Sequence, residues 1–118
     1  MSNKVAVQIV DDDRAVCQAL SDVVELKGGY LTGIAGTGQE ALDIAGRKFF
    51  DVVLLDMTLP DMSGLELIER IKELHGSTEV IILSGLSSAE LETQAVHTGA
   101  FAYLVKPSSH KEIMVTIG

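Results

Sequence analysis

Short apolar runs alternate with segments of helical period along the whole chain, and few folds accommodate that pattern. Residues 5–10 are apolar and β-branched and read as a strand. Residues 14–27 place Val16, Ala19, Leu20, Val23 and Val24 on one helical stripe, which Gly28-Gly29 ends. A weaker strand at 30–35, interrupted by Gly33, precedes a helix at about 38–48 with Ala41, Leu42 and Ala45 on one face. Residues 51–55 read as a continuous buried strand, and 64–74 as a helix with Leu65, Ile68 and Ile71 inward. A buried strand at 79–83, a helix at 88–98 ended by Gly99, a strand at 100–105 and a helix from His110 onward complete the series.

The last four helices open on one signature: Thr37/Glu40, Ser63/Glu66, Ser87/Glu90 and Ser109/Glu112. In each, the hydroxyl is expected to accept from the backbone N–H three residues on, while the Glu reaches back to the cap. One match carries little weight. Four matches, each where the period switches from strand to helix, mark the boundaries. The result is (βα)5, and alternation of this kind implies a doubly wound parallel sheet with right-handed crossovers and helices on both faces. The strands lack polar alternation, as they must when both faces are covered.

A length of 118 residues suits one domain with a real hydrophobic core. Seventeen acids against nine bases give a net charge of −8, which argues against direct nucleic-acid binding, since phosphate neutralisation needs clustered Lys and Arg. The absence of Trp argues likewise against a base-stacking platform. A single cysteine, Cys17, excludes an internal disulfide and fits a reducing compartment. No apolar run approaches the roughly 20 residues of a membrane span. Met1-Ser2-Asn3-Lys4 leads straight into the first strand, so no secretory signal and no membrane partner are expected, and the cytoplasm is the expected location.

In parallel sheets of this class, ligands bind beyond the carboxyl ends of the strands. There the sequence places Asp11, Asp12 and Asp13 after the first strand, Asp56 after the third, Ser84 after the fourth, and Lys106-Pro107 after the fifth. With strand order 2-1-3-4-5 these residues converge. Carboxylates about 5 Å apart repel by about 3 kcal/mol at an effective dielectric of about 20, so the group calls for a divalent cation. Oxygen ligands without His or Cys suit Mg2+. A lysine and a hydroxyl beside them suit phosphoryl transfer, where positioning and charge neutralisation do most of the catalysis.

Four blocks carry a resemblance: Val10-Asp11-Asp12-Asp13, residues 54–64 (LLDMTLPDMSG), Ile82-Leu83-Ser84-Gly85 and Tyr103-Leu104-Val105-Lys106-Pro107. In order and spacing they resemble the CheY-like receiver domain of two-component response regulators, over nearly the whole chain. The resemblance implies a flavodoxin-like fold and a phosphorylation-dependent signalling switch rather than an enzyme with a separate substrate. It implies Asp56 as phosphoacceptor, taking a phosphoryl group from a phosphohistidine of a sensor kinase or phosphotransfer protein. Asp12 would hold Mg2+ directly, Asp11 through water, with Asp56 and the Thr58 backbone carbonyl completing the protein's share. Lys106 would pair with the carboxylate and then with the phosphoryl oxygens. Ser84 would move towards the phosphoryl group and Tyr103 would turn inward as it does. The Lys106–Pro107 bond would be cis. The face of the fourth helix, fifth strand and fifth helix would then change, to control an output domain or downstream protein or to form a phosphorylation-dependent homodimer. Thr58 and Leu86 stand where the family tunes hydrolysis, and apolar Leu86 implies a fairly long-lived phosphoryl state. The chain stops at Gly118, short of the family's usual fifth helix, so a single receiver domain over 1–118, cut within or just after that helix, is expected.

Plainer readings apply to several residues. Asp13 is expected to cap the first helix, Cys17 to be a reduced packing residue, and His75, His97 and His110 to be solvated. Gly33, Gly36 and Gly38 do not make a dinucleotide-binding fingerprint. A haloacid-dehalogenase-like phosphatase would need a second Asp where Thr58 stands. A degenerate receiver, acting only as a binding module, would need a broken site.

Overall fold

The structure, a computed structural model, describes residues 5–85, 88–105 and 110–117. Its elements alternate as β1 (Ala6–Val10), α1 (Arg14–Gly28), β2 (Leu31–Ala35), α2 (Gly38–Ala45), β3 (Val52–Asp56), α3 (Gly64–Leu74), β4 (Glu79–Ser84), α4 (Ala89–Thr98), β5 (Ala102–Val105) and α5 (His110–Ile117). The strands pair in parallel in the order β2-β1-β3-β4-β5. Among the described residues no helix is long and apolar enough to cross a membrane.

Strand residues of alternate parity feed two cores. Val10, Val53, Leu55, Val80 and Ile82 pack with Ala41 of α2, Leu67, Ile68 and Ile71 of α3, and Ala95 of α4. Val7, Ile9, Leu54, Ile81 and Leu83 pack with Cys17, Leu20 and Val24 of α1 and Ile113 of α5. Each large aliphatic side chain buried this way contributes about 1.5–3 kcal/mol.

The buried stripe of α1 is Cys17, Leu20, Ser21 and Val24, with Val16 and Val23 half-buried and Ala19 exposed. The expected place of Ala19 on the inner face is thus corrected. The sheet takes the stripe at spacings of three and four, and Ser21 fits it because its hydroxyl hydrogen-bonds Thr32 Oγ1 at 2.7 Å. Asp13 caps α1, accepting from the N–H groups of Ala15 and Val16. Thr37 and Ser63 cap α2 and α3, each accepting from the N–H three residues on. The Glu40 carboxylate reaches back to the N–H of Gly36, one residue before the cap rather than the cap itself.

The cap of α4 is Ser88, accepting from Leu91 N, and not the expected Ser87. Two adjacent serines offer the same hydroxyl, and the chain path into the helix selects the second. That shift puts Leu91 where the box requires Glu, and leaves Glu90 and Glu92 in the first turn to face the positive end of the helix dipole. Ser87, Leu86, Ser109, Lys106 and Pro107 lie outside the described residues. Two boundaries also move. The Ala100 N–H bonds back to Ala95 O, so Ala100 closes α4 and β5 starts two residues later than expected. α2 stops at Ala45, where the N–H groups of Arg47 and Lys48 both turn to Ile44 O.

The amino ends of the strands are fastened by Asp51. Its N–H donates to Ala6 O, its carboxylate accepts from Ala6 N, and its carbonyl accepts from Glu79 N, each at 2.9 Å, so one residue joins β1, β3 and β4. Gly33 is explained by packing: a methyl group there would stand 2.8 Å from the Phe50 ring. His75 is not simply solvated. It is half-buried, its Nε2 lies 3.0 Å from Ala45 O, and its ring meets Phe49 edge-on, joining the ends of α2 and α3. His97 is exposed, as expected.

Leu67 is fully buried where α3 meets the sheet. We expect Leu67→Ala to lower unfolding free energy by about 2–5 kcal/mol in urea titrations followed by circular dichroism.

Candidate functional site

Register, not loop sequence, brings the carboxylates together. Val10 stands opposite Leu55 in the β1–β3 ladder, so the next residues, Asp11 and Asp56, leave the sheet side by side. Carboxylate oxygens of Asp11, Asp12 and Asp56 lie within 4.8 Å of one another. At that separation each pair repels by about 1 kcal/mol in a water-like dielectric and by about 3 kcal/mol at a dielectric of about 20. Asp11 is buried, Asp56 half-buried and Asp12 exposed, so the cluster opens to solvent on one side.

Local bonds fix the first of these residues. The Asp11 N–H donates to Ala35 O, its Oδ1 accepts from Asp13 N at 2.9 Å, and its carbonyl accepts from the Cys17 thiol at 3.2 Å. The run of three acids therefore divides its work: Asp11 and Asp12 face Asp56, while Asp13 serves α1. A small cavity of about 70 Å³ beside the acids is lined by Asp11, Asp12, Arg14, Cys17, Ile34 and Gly36. A wider groove of about 720 Å³ between α2 and α3 lies away from them. The carboxylates rather than the larger volume mark the chemistry, because an ion needs donors and little room.

Asp56 ends β3, and its Oδ1 accepts from Thr58 N at 3.2 Å. The loop that follows closes on itself. Thr58 bridges Ser63, and the Gly64 N–H donates to Met57 O at 3.1 Å. A Cβ on Gly64 would stand 3.0 Å from Met57 Cα and 2.7 Å from its sulfur, so this closure requires glycine. Leu59 anchors the loop in the core. Ser84, at the end of β4, is 2% exposed. It follows Ile82 by two residues and so shares that face, where Tyr103, in register with Ile82, packs half-buried against the same core.

The structure thus brings Asp11, Asp12 and Asp56 together and sets Ser84 and Tyr103 on one face nearby. Lys106 and Leu86 fall outside the described residues. An all-oxygen donor set without His or Cys fits a hard divalent cation such as Mg2+ or Ca2+. Sequence reasoning missed Asp61. Its carboxylate accepts from Gly38 N and Gln39 N at 2.9 Å, across more than twenty residues, and no local spacing announces such a bond.

The parallel (βα)5 sheet thus carries three carboxylates at its carboxyl edge, and comparison with known proteins gives the family. Residues 7–118 match the response regulator receiver domain family, and the chain belongs to it. Over 116 residues it is 33% identical to the transcriptional regulatory protein ZraR of Escherichia coli K12, covering 98% of this chain and 26% of that protein. It is 36% identical over 112 residues to the transcriptional regulatory protein YdfI of Bacillus subtilis, covering 94% of this chain and 52% of that one. The chain therefore spans about a quarter to a half of these relatives. A CheY-like receiver domain protein from Methanospirillum hungatei JF-1 superposes with a TM-score of 0.92 at 33% identity, over 98% of this chain and 91% of that one. A Burkholderia pseudomallei response regulator solved with a phosphorylated aspartic acid, calcium ion and citrate gives 0.90 at 30% identity, over 98% and 67%.

Two outcomes follow from the geometry. Asp12→Asn removes one of the clustered charges, so the metal-free protein is expected to melt higher than wild type and to lose most of the rise in melting temperature that Mg2+ produces. Differential scanning fluorimetry with and without Mg2+ reads both. Burial, reinforced by the neighbouring Asp11 charge, pushes the Cys17 thiol above its usual 9.0. The thiol therefore stays protonated at pH 8. Labelling by a disulfide reagent is expected to be slow in the native protein and fast in urea.

Proposed function

We propose that the domain accepts a phosphoryl group on Asp56 from a phosphohistidine of a sensor kinase or phosphotransfer protein. The observation that carries this reading is the convergence of Asp56 with Asp11 and Asp12 at the carboxyl edge of the sheet. A half-buried carboxylate at a strand end is reachable by a partner's phosphohistidine yet held by its backbone.

In the proposed reaction an Asp56 carboxylate oxygen attacks phosphorus. The P–O bond forms as the P–N bond breaks, and the departing imidazole takes up a proton. Asp11, Asp12, Asp56 and the Thr58 carbonyl would hold Mg2+, which supplies positive charge against the phosphoryl oxygens. Lys106 is proposed to supply a second positive charge. Ser84 donates its hydroxyl to the new group, and Tyr103 follows into the space on the same face. Phosphorylation adds nearly two negative charges at one point.

The proposed output surface is α4, β5 and α5. Val96, Phe101, Val105 and Val115, four of the eight large apolar side chains exposed among the described residues, lie on or beside these elements. Exposed apolar surface of this kind suits a protein partner, an output domain or a second copy of the chain. In its relatives' setting the domain is proposed to regulate an attached or separate output, in the cytoplasm, without itself contacting nucleic acid or membrane. Thr58 and Leu86 are proposed to set the phosphoryl lifetime.

Incubation with acetyl phosphate and Mg2+ tests the reading. A mass gain of one phosphoryl group is expected in wild type and in Asp51→Asn, and none in Asp56→Asn. Absence of any gain in wild type would refute the function. Decay of the wild-type adduct within seconds would refute the long-lived state.

A further inference from the structure

The N-terminus of α2 has two sets of acceptors. Thr37, its local cap, takes the N–H of Glu40 through Oγ1 at 3.0 Å. The N–H groups of Gly38 and Gln39 are met instead by Asp61, one carboxylate oxygen each at 2.9 Å. Asp61 belongs to the loop between β3 and α3, so the bonds join two segments that no strand pairing connects. Met62 reinforces the contact: a Cβ on Gly38 would stand 2.5 Å from its side chain, so the glycine lets the loop lie against the helix. The two backbone donors, Gln39 foremost, hold the Asp61 carboxyl below its usual range.

The same loop begins at Asp56 and carries Thr58. Its base is closed by the Gly64–Met57 bond and the Thr58–Ser63 bridge, and Leu59 is buried beneath it. Its outer limb, at Asp61, is held by α2. Releasing that limb leaves the segment anchored at its base alone.

We propose that Asp61 is a positioning residue: by clasping the N-terminus of α2 it holds the β3–α3 loop, and with it the Thr58 carbonyl, in place beside Asp56 and the acid pair. The proposal rests on the reading of this site as a Mg2+-dependent phosphoacceptor. Asp61 itself touches neither cation nor phosphoryl group. It acts through the backbone of residues 57–60.

The experiment compares wild type, Asp61→Ala, Asp61→Asn and Thr37→Ala. Thr37→Ala removes a cap from the same helix end without touching the loop, and so reports what loss of helix stability alone does. Three readouts are taken: Mg2+ affinity by calorimetry, amide hydrogen exchange of Gly64 in metal-free protein, and phosphorylation by acetyl phosphate at limiting and saturating Mg2+. Asp61→Ala is expected to weaken Mg2+ binding about tenfold, the scale seen when an outer partner of a metal ligand is lost. It is also expected to speed Gly64 exchange severalfold, and to slow phosphorylation at limiting but not saturating Mg2+. Asp61→Asn, which keeps one acceptor oxygen, should fall between, and it serves if the alanine variant does not fold. Thr37→Ala should lower melting temperature while leaving Mg2+ affinity and Gly64 exchange near wild type. Unchanged Mg2+ affinity in both Asp61 variants overturns the proposal, as does an equal loss in Thr37→Ala. If wild type takes no phosphoryl group, the functional reading fails, while the clasp is still judged on affinity and exchange.

Discussion

The register of the buried parallel strands is the constraint on which the site depends. Asp11 and Asp56 meet only because Val10 is paired with Leu55, and a slip of one residue would turn each side chain to the opposite face. Two cores resist that slip, since moving any strand by one position would exchange its aliphatic residues between them and spoil the packing of both. Asp51 resists it from the other end of the sheet, tying β1, β3 and β4 with three backbone-directed bonds. The carboxylate cluster opposes folding by its own repulsion. It persists because strands whose positions are fixed by packing elsewhere set Asp11 and Asp56 side by side.

An acidic chain of this size invites a search for a basic partner, yet many of its aspartates are occupied internally. Asp13 accepts from the first turn of its own helix, Asp61 from the first turn of another, Asp51 from a neighbouring strand, and Asp11 from the N–H of Asp13. Each meets a backbone donor that the regular ladders leave without a partner. These four of the seventeen acids therefore fasten helix starts and strand ends. Asp11, Asp12 and Asp56 in addition face one another, and there the summed charge suits a cation as well as the backbone donors.

Fold class and strand order were legible because alternating periods admit few arrangements, and the cluster was legible because strand ends in such a sheet point to one place. Local chemistry that depends on a single bond was less so. Ser87 and Ser88 are indistinguishable as caps until the path of the chain into α4 is known. Ala19 lay on a plausible stripe, but its methyl group gains too little from burial to set the helix rotation against Cys17, Leu20 and Val24. Gln8, fully buried in β1, donates to Ala41 O at 3.1 Å opposite Gly33, a fit visible only when the neighbouring strand is in place. Asp61 and His75 act over long separations in sequence, beyond the reach of any periodicity. The site residues that stood out were those fixed by the sheet, and those that did not were fixed by loops crossing between elements.

The same packing argument bears on which part of the domain is free to respond. α3 is held by Leu67, Ile68 and Ile71, all fully buried, whereas α4 buries only Ala95. A helix with one fully buried side chain loses less dispersion energy when it shifts than α3, whose movement would open the core beneath it. Ser84 and Tyr103 lie on the core face that α4 covers, next to this weakly anchored element. On the proposed reading, a new charge at Asp56 need not deform the sheet to be felt at the surface. It would need only to draw Ser84, change the room available to Tyr103, and shift a helix with one fully buried side chain. The exposed Val96 of α4 and Phe101 before β5 then give that small displacement an apolar surface on which a partner can read it.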